Sequence, residues 1–397
     1  MLMALAALGV ARREVRDILA EPDAQMQYFS GTNDFGERLW VAHASDACVS
    51  MSAGPNGSTP ELVEAGTAYD GSRIFNLHGQ FAPRVSAPAE TSRHDVLFTT
   101  LQRFGATYYH YHAETLPKLL LARVVRETRP SVRVLIHRPQ GAFARRFLEL
   151  LALDDSALEL TPPDAMNSCA PDAPRCAHFC ASTLLLPSPA RQGFPGHDAL
   201  ATVRAFALGA LGVSPPPRAE RRTVVILGRR RARLRRWANE AACVDAVTRA
   251  FPDEEVVLYP DEGLPTDEMV RIFARAKLIV GPHGGAFTGI IFAPPGTTVL
   301  EVDTNGTTWC YRHIAGALSL DYRPLVGNFT WHTTSIRVDE DALLGGVRRA
   351  LGEWRDAGET GRGRKRSWRG DGRGGPLPGP LQPQQAADEF PWLPRGR

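Results

Sequence analysis

No stretch of this 397-residue chain stays apolar for the roughly eighteen positions that a bilayer crossing requires. The opening run, MLMALAALGV, is ten residues long and precedes Ala-Arg-Arg, so it is too short to span and carries its positive charge on the wrong side for a signal peptide. The chain is therefore expected either to be soluble or to be held by an N-terminal anchor that this sequence does not include. Two glycine loops are also missing from the places where they would act: no Gly-x-Gly-x-x-Gly joins a strand-like run to a helix, and no Gly-x-x-x-x-Gly-Lys-Ser/Thr occurs. Their absence removes the commonest dinucleotide and nucleoside triphosphate cradles. Cysteine is scarce, with six residues at 48, 169, 176, 180, 243 and 310. In CAPDAPRCAHFC the spacings of seven and four between Cys169, Cys176 and Cys180, with His178 among them, fit a disulfide or core cysteines better than zinc. An even count permits bridges in an oxidising compartment, and sequons at Asn56, Asn305 and Asn328 point the same way.

What is present reads as two α/β domains. A hydrophobic content of 43% over this length suffices for two cores of ordinary size. Residues 1–90 have little periodicity and are expected to form an irregular region packed on the first domain. Strand-like DVLFTTL, helical YYHYHAETLPKLLLARVVRET, strand-like VRVLIHR, helical GAFARRFLELLAL and strand-like ALELTPP and HFCASTLLLPSP then alternate, so 91–213 reads as a Rossmann-like unit. GVSPPPRAERR breaks both periods and reads as a linker. A second series, TVVILG, WANEAACVDAVTRAF, EEVVLYP, TDEMVRIFARA, KLIVGPH, GAFTGIIFA, TTVLEVD, WCYRHIAGALSL and YRPLVG, makes 220–357 a second Rossmann-like unit. Short apolar runs separated by helices imply parallel sheets covered on both faces. The tail 358–397, rich in Gly, Pro and Arg, is expected to be disordered.

Three segments carry chemistry. His283 follows the run KLIVGP, at the carboxyl end of its strand, where ligands of such sheets lie. Gly284 and Gly285 behind it allow close backbone approach and open a helix whose amides favour a phosphate. His283 thus reads either as a ligand contact or as a cap on its own turn. The second segment is ILGRRRARLRRWANE: residues 221–236 hold eight arginines in sixteen positions despite a net charge of only +3. Arginines directly after a strand can fork around a diphosphate, although a solvated face or a nucleic-acid footprint would look similar. Against nucleic acid, aromatic residues are not interleaved with the arginines, and no helix-turn-helix, RRM or zinc-finger spacing is found. In the third segment, TYYHYHAETLPKLL, His110 and Glu114 are four apart and share a helix face, available for general-base work or as a core histidine with its carboxylate.

In this order the three segments resemble glycosyltransferase family 61, whose members include inverting O-linked N-acetylglucosamine transferases and plant xylosyl- and arabinosyltransferases. YYHYHAETLPKLL, ILGRRRARLRRWANE and ARAKLIVGPHGGAFTGIIFAPPGTTVLEV are similar to that family's three motifs, covering about 95–330. The resemblance implies a GT-B-like fold with two Rossmann-like domains and an interdomain cleft. It also implies a nucleotide-sugar donor (a UDP-sugar foremost), a glycan or glycoprotein acceptor, no cofactor, no metal, no nucleic acid, and a Golgi or ER lumenal location. Carried over residue by residue, His110 and Glu114 become base candidates, while Arg229, Arg235, Asn239, His283, Gly284, Gly285 and Glu301 bind the donor, Glu301 through ribose or sugar hydroxyls. Gly289 stands where the family has Asn, and Gly228 where it has Ser. Asp339-Glu340-Asp341 reads as the acidic first turn of a helix rather than a metal ligand pair. The rival expectation is a nucleotide- or glycan-binding protein of the same fold without turnover.

Overall fold

The computed structural model of the chain describes residues 41–52, 59–64, 74–76, 81–82, 92–102, 104–161, 178–187, 195–303, 309–327, 329–330 and 332–359. The N-terminal apolar run, the three sequons, Cys169, Cys176 and the tail beyond Glu359 lie outside the described residues. Among the described residues no helix is long and apolar enough to cross a membrane.

The first sheet has eight strands: β1 (Val41–Ser52), β2 (Thr59–Glu64), β3 (Ile74–Asn76), β4 (Phe81–Ala82), β5 (Ser92–Thr99), β6 (Arg133–Ile136), β7 (Leu158–Leu160) and β8 (His178–Pro187), in the order β4-β3-β2-β1-β8-β5-β6-β7. Strands β8, β5, β6 and β7 run parallel to one another. The region expected to be irregular instead supplies β1 to β4, which pair antiparallel and extend the sheet through β1 against β8. Helices α1 (Leu116–Thr128), α2 (Ala142–Leu150) and α3 (His197–Ala210) belong to this half.

After the proline-rich segment and a 3-10 turn at Arg218–Glu220, the second sheet is wholly parallel. It contains β9 (Thr223–Leu227), β11 (Glu255–Tyr259), β12 (Ala276–Pro282), β13 (Thr298–Asp303) and β14 (Asp321–Val326) in the order β11-β9-β12-β13-β14. A short parallel ribbon joins β10 (Arg236–Trp237) to β15 (Ser335–Ile336). Helices α4 (Glu240–Ala250), α5 (Thr266–Ala274), α6 (Cys310–Ala317) and α7 (Glu340–Glu359) complete this half. The expected α/β class is what the chain forms, with a mixed sheet in the first half and a wholly parallel one in the second.

The side-chain period of the strands explains how the halves are held. Along β9 and β12, Val225, Leu227 and Ile279 point to one face and Val224, Ile226, Leu278 and Val280 to the other. The second face is covered by α4 and α7 through Val247, Leu343 and Val347. The first face joins a cluster that continues into the N-terminal half, where Leu119, Phe147 and Val203 meet Phe287, Phe292 and Ile314. Each such fully buried side chain contributes about 1.5–3 kcal/mol, so the apolar contact between halves outweighs the partly exposed ion pair of Arg146 with Asp267 that also bridges them.

Candidate active site

The segment ahead of α1 departs from regular helix. Tyr108–His110 forms one α turn and Tyr111–Thr115 a π turn before α1 begins with Pro117 in its first turn. All five residues of the π turn are buried, and burial continues without a break from Leu116 to Ala122 in α1, so this segment is covered on every side. His110 Nδ1 lies 2.9 Å from Glu114 Oε2, as the four-residue spacing predicts. Their exposures assign different parts: the His110 side chain is 17% exposed and that of Glu114 0%. Glu114 Oε2 also accepts a hydrogen bond from Gln102 Nε2. A Glu114 that receives Nδ1–H fixes the tautomer that leaves His110 Nε2 basic.

In the C-terminal half, Arg229 and Arg235 follow β9 and face the end of β12. The Arg229 guanidinium donates to the carbonyls of Arg235 (Nε, 3.2 Å) and Leu234 (Nη2, 2.6 Å), and its backbone amide donates to Glu240 Oε2 at 2.5 Å. Arg235, whose backbone is left-handed at φ 52°, donates from Nε to the His283 carbonyl at 3.3 Å. Burial, and then the charge of Arg235, lower the Arg229 guanidinium to about 10, so both remain protonated at neutral pH in a site that an anion would relieve. Arg230, Arg231, Arg233 and Arg236 are exposed.

The glycine turn is built around Arg229. Gly284 is extended, at φ 171°, and needs no glycine for its dihedrals; a Cβ there would overlap the Arg229 guanidinium. The segment after it is a 3-10 helix over Gly285–Phe292 rather than an α-helix, as two glycines within it and Pro294 just beyond would favour. His283 is 3% exposed, with Nδ1 against Glu301 Oε1. Glu301 itself is fully buried, and its Oε2 accepts the Tyr322 hydroxyl at 2.7 Å. Both Glu301 oxygens thus face protein groups, one of them the His283 ring nitrogen. Asn239 Nδ2 donates to the Val338 carbonyl at 2.8 Å and its Oδ1 accepts the Val338 amide at 3.0 Å, which fastens the start of α4 to the approach to α7. Asp339 Oδ1 caps α7 by accepting the Ala342 amide at 2.8 Å.

Two tyrosines join the halves. The Tyr109 ring lies edge-on to His110 at 5.0 Å and to Tyr311 at 5.7 Å, and Tyr311 in turn lies 5.1 Å from the His283 ring. Tyr108 shares a side-chain hydrogen bond with Tyr259 at the end of β11. His110, Glu114, Arg229, Arg235, His283, Gly284 and Gly285 therefore converge on one junction. Tyr311, Tyr322 and Gln102 were not legible as parts of it, since each lies in an ordinary run and acquires its place only by packing.

The two departures from the family motif have spatial causes. At Gly289 a Cβ would fall on the Phe273 ring of α5, and at Gly228 it would lie 3.0 Å from the Tyr259 carbonyl oxygen. Restoring the family's Asn by Gly289→Asn is expected to lower stability by about 1–3 kcal/mol, the range for overpacking, measured by urea unfolding. Gly289→Asn combined with Phe273→Ala should recover part of that loss relative to Phe273→Ala alone.

Among curated proteins, the Xylan glycosyltransferase MUCI21 of Arabidopsis thaliana is 34% identical over 88 residues, covering 21% of this chain and 18% of its own length. This chain thus aligns with under a fifth of the plant protein. Among solved structures, the bacterial iron-containing dodecameric glycosyltransferase TibC from enterotoxigenic E. coli H10407 aligns with 84% of this chain and 100% of its own, at 11% identity and a TM-score of 0.30. A second structure, described as dodecameric iron-containing heptosyltransferase TibC in complex with ADP-D-beta-D-heptose, gives 12% identity, the same coverages and the same TM-score of 0.30. The segments that build the junction, from the π turn through the arginine loop to the glycine turn, lie within residues 108–300, which match the family model described as Glycosyltransferase 61.

Proposed function

We propose that the protein is an inverting, metal-independent glycosyltransferase that moves a sugar from a nucleotide-sugar, a UDP-sugar foremost, to a hydroxyl of a glycan or glycoprotein. The observation that carries this reading is the meeting of a carboxylate-held histidine from one half with a buried arginine, a half-buried one and a histidine from the other, across the Tyr109–Tyr311 contact. In the reaction so read, the acceptor oxygen attacks the anomeric carbon from the face opposite the diphosphate, and its proton passes to His110 Nε2. The bond from the anomeric carbon to the diphosphate oxygen breaks with its electron pair on the diphosphate. Arg229, Arg235, His283 and the amides of Gly284 and Gly285 hold that developing charge. Glu114 and Glu301 act through the two histidines. The Xylan glycosyltransferase name of the plant relative makes a xylan-type glycan the first acceptor to test. A lumenal, oxidising location is supported by the disulfide at Cys180, which stands opposite Cys48 in the β1–β8 register, and by the three sequons.

A thermal-shift screen over nucleotide sugars, followed by transfer assays with the stabilising donor, tests the reading. One or more donors are expected to raise Tm, and transfer is expected to survive excess EDTA. Loss of transfer that Mg²⁺ or Mn²⁺ restores would overturn metal independence. A folded protein that no nucleotide sugar stabilises, and that transfers none, would overturn the whole assignment.

A further inference from the structure

Behind the His110–Glu114 pair lies a cation that the transfer step does not touch. Lys118, in the first turn of α1, is 5% exposed in a chain whose basic residues are nearly all arginine. Its Nζ donates to Gln102 Oε1 at 2.5 Å, and the same Gln102 amide donates from Nε2 to Glu114 Oε2. Gln102 is fixed in turn at its backbone carbonyl by His137 Nε2, 2.7 Å away. The result is an ion pair bridged by one neutral amide, with Gln102, Glu114 and Lys118 all buried.

Each polar group in this row has a sense that chemistry dictates. An ammonium only donates and an ionised carboxylate only accepts, so the amide between them must turn its oxygen to Lys118 and its nitrogen to Glu114. A carboxylate with no exposed surface needs a compensating positive charge, because leaving one buried alone costs several kcal/mol. A histidine that serves as a base is neutral before the reaction and supplies only a hydrogen bond, so the charge comes from Lys118. The groups around the row are few: His137 and Glu114 face Lys118, while Phe104, Tyr109 and Glu114 face His110.

We propose that Lys118, acting through Gln102, is a positioning residue that keeps Glu114 ionised and aimed at His110 Nδ1, and thereby sets the basicity of His110 Nε2. Its consequence for rate rests on the glycosyl-transfer reading above; its effect on His110 does not. No proton crosses the Gln102 amide, so the coupling is electrostatic and orientational. Burial pushes the Lys118 ammonium down to about 8, with Glu114 opposing the fall, so the charge is present at neutral pH and is lost as pH rises through about 8.

The test is a nuclear magnetic resonance titration of the His110 ring in the ligand-free protein, parent against Lys118→Met, alongside pH–rate profiles. In Lys118→Met, where Glu114 takes up a proton and no longer faces Nδ1–H as a carboxylate, the His110 midpoint is expected to fall by about half a unit or more; a rise, the direct effect of removing a cation beside a still ionised Glu114, would overturn the proposal. The acid limb of the rate profile should move with the midpoint, and kcat should drop about tenfold with donor KM and nucleotide Kd unchanged. In the parent, the His110 signals should show a second inflection near the pH where Lys118 discharges. A folded Lys118→Met whose His110 midpoint and rate profile match the parent would overturn the proposal. If that variant does not fold, a parent titration without the second inflection does so. A parent that never transfers sugar sinks the activity reading and leaves the ring titration to decide this one.

Discussion

Replacing His110 by Ala is expected to cut sugar transfer by about 10²–10⁴ in kcat, the usual contribution of a positioned general base, while nucleotide affinity measured by calorimetry stays at the parent value. The separation follows from where the groups stand. His110 and Glu114 lie on the turn before α1, whereas the groups read as holding the diphosphate all lie beyond β9, on the other side of the Tyr109–Tyr311 contact. Glu114→Gln should lower transfer without a change in shape: the oxygen that faces Nδ1 also accepts Gln102 Nε2, so the amide oxygen keeps that place and the tautomer, and what is lost is the negative charge that stabilises the protonated ring. Near-parent transfer in both variants would remove this turn from the mechanism.

Arg235→Ala and Arg229→Ala are expected to weaken nucleoside diphosphate binding by roughly 1.5–3 kcal/mol each, a factor of about 10–150, the scale of a charge-assisted hydrogen bond left unmade. Arg229 has a second effect. Its Nε and Nη2 hold the carbonyls of Arg235 and Leu234, so its loss also frees the loop that presents Arg235. Arg229→Lys should therefore fail to rescue, since a single ammonium cannot hold two carbonyls and keep a third donor for the ligand in the geometry of a planar fork. Arg230→Ala and Arg233→Ala, which remove exposed guanidinium groups, should bind as the parent does. Equal affinity for UDP and GDP across all four alanine variants would mark the loop as a solvated face only.

Much of the architecture was legible along the chain because it depends on short-range patterns. Short continuous apolar runs such as TVVIL and KLIVGP became β9 and β12, and the helices between them fell where the pattern took a longer period. His110 and Glu114 met because residues four apart on a helical turn are neighbours whatever surrounds them. The first ninety residues were opaque for the complementary reason: β1 is a strand because β8, more than a hundred residues away, supplies its hydrogen bonds.

The sequence by itself determined the α/β alternation, the family motifs and the strand-end positions of His283 and the arginines. The tertiary structure alone decided which polar atoms those residues keep available, because a hydrogen-bond partner is a neighbour in space. It turned Asn239 toward Val338, gave Glu301 to His283 and Tyr322, and placed Phe273 where the family's asparagine would stand. It also set Lys118 one amide behind Glu114, through a glutamine whose separation of twelve residues from that carboxylate carries no periodic signal.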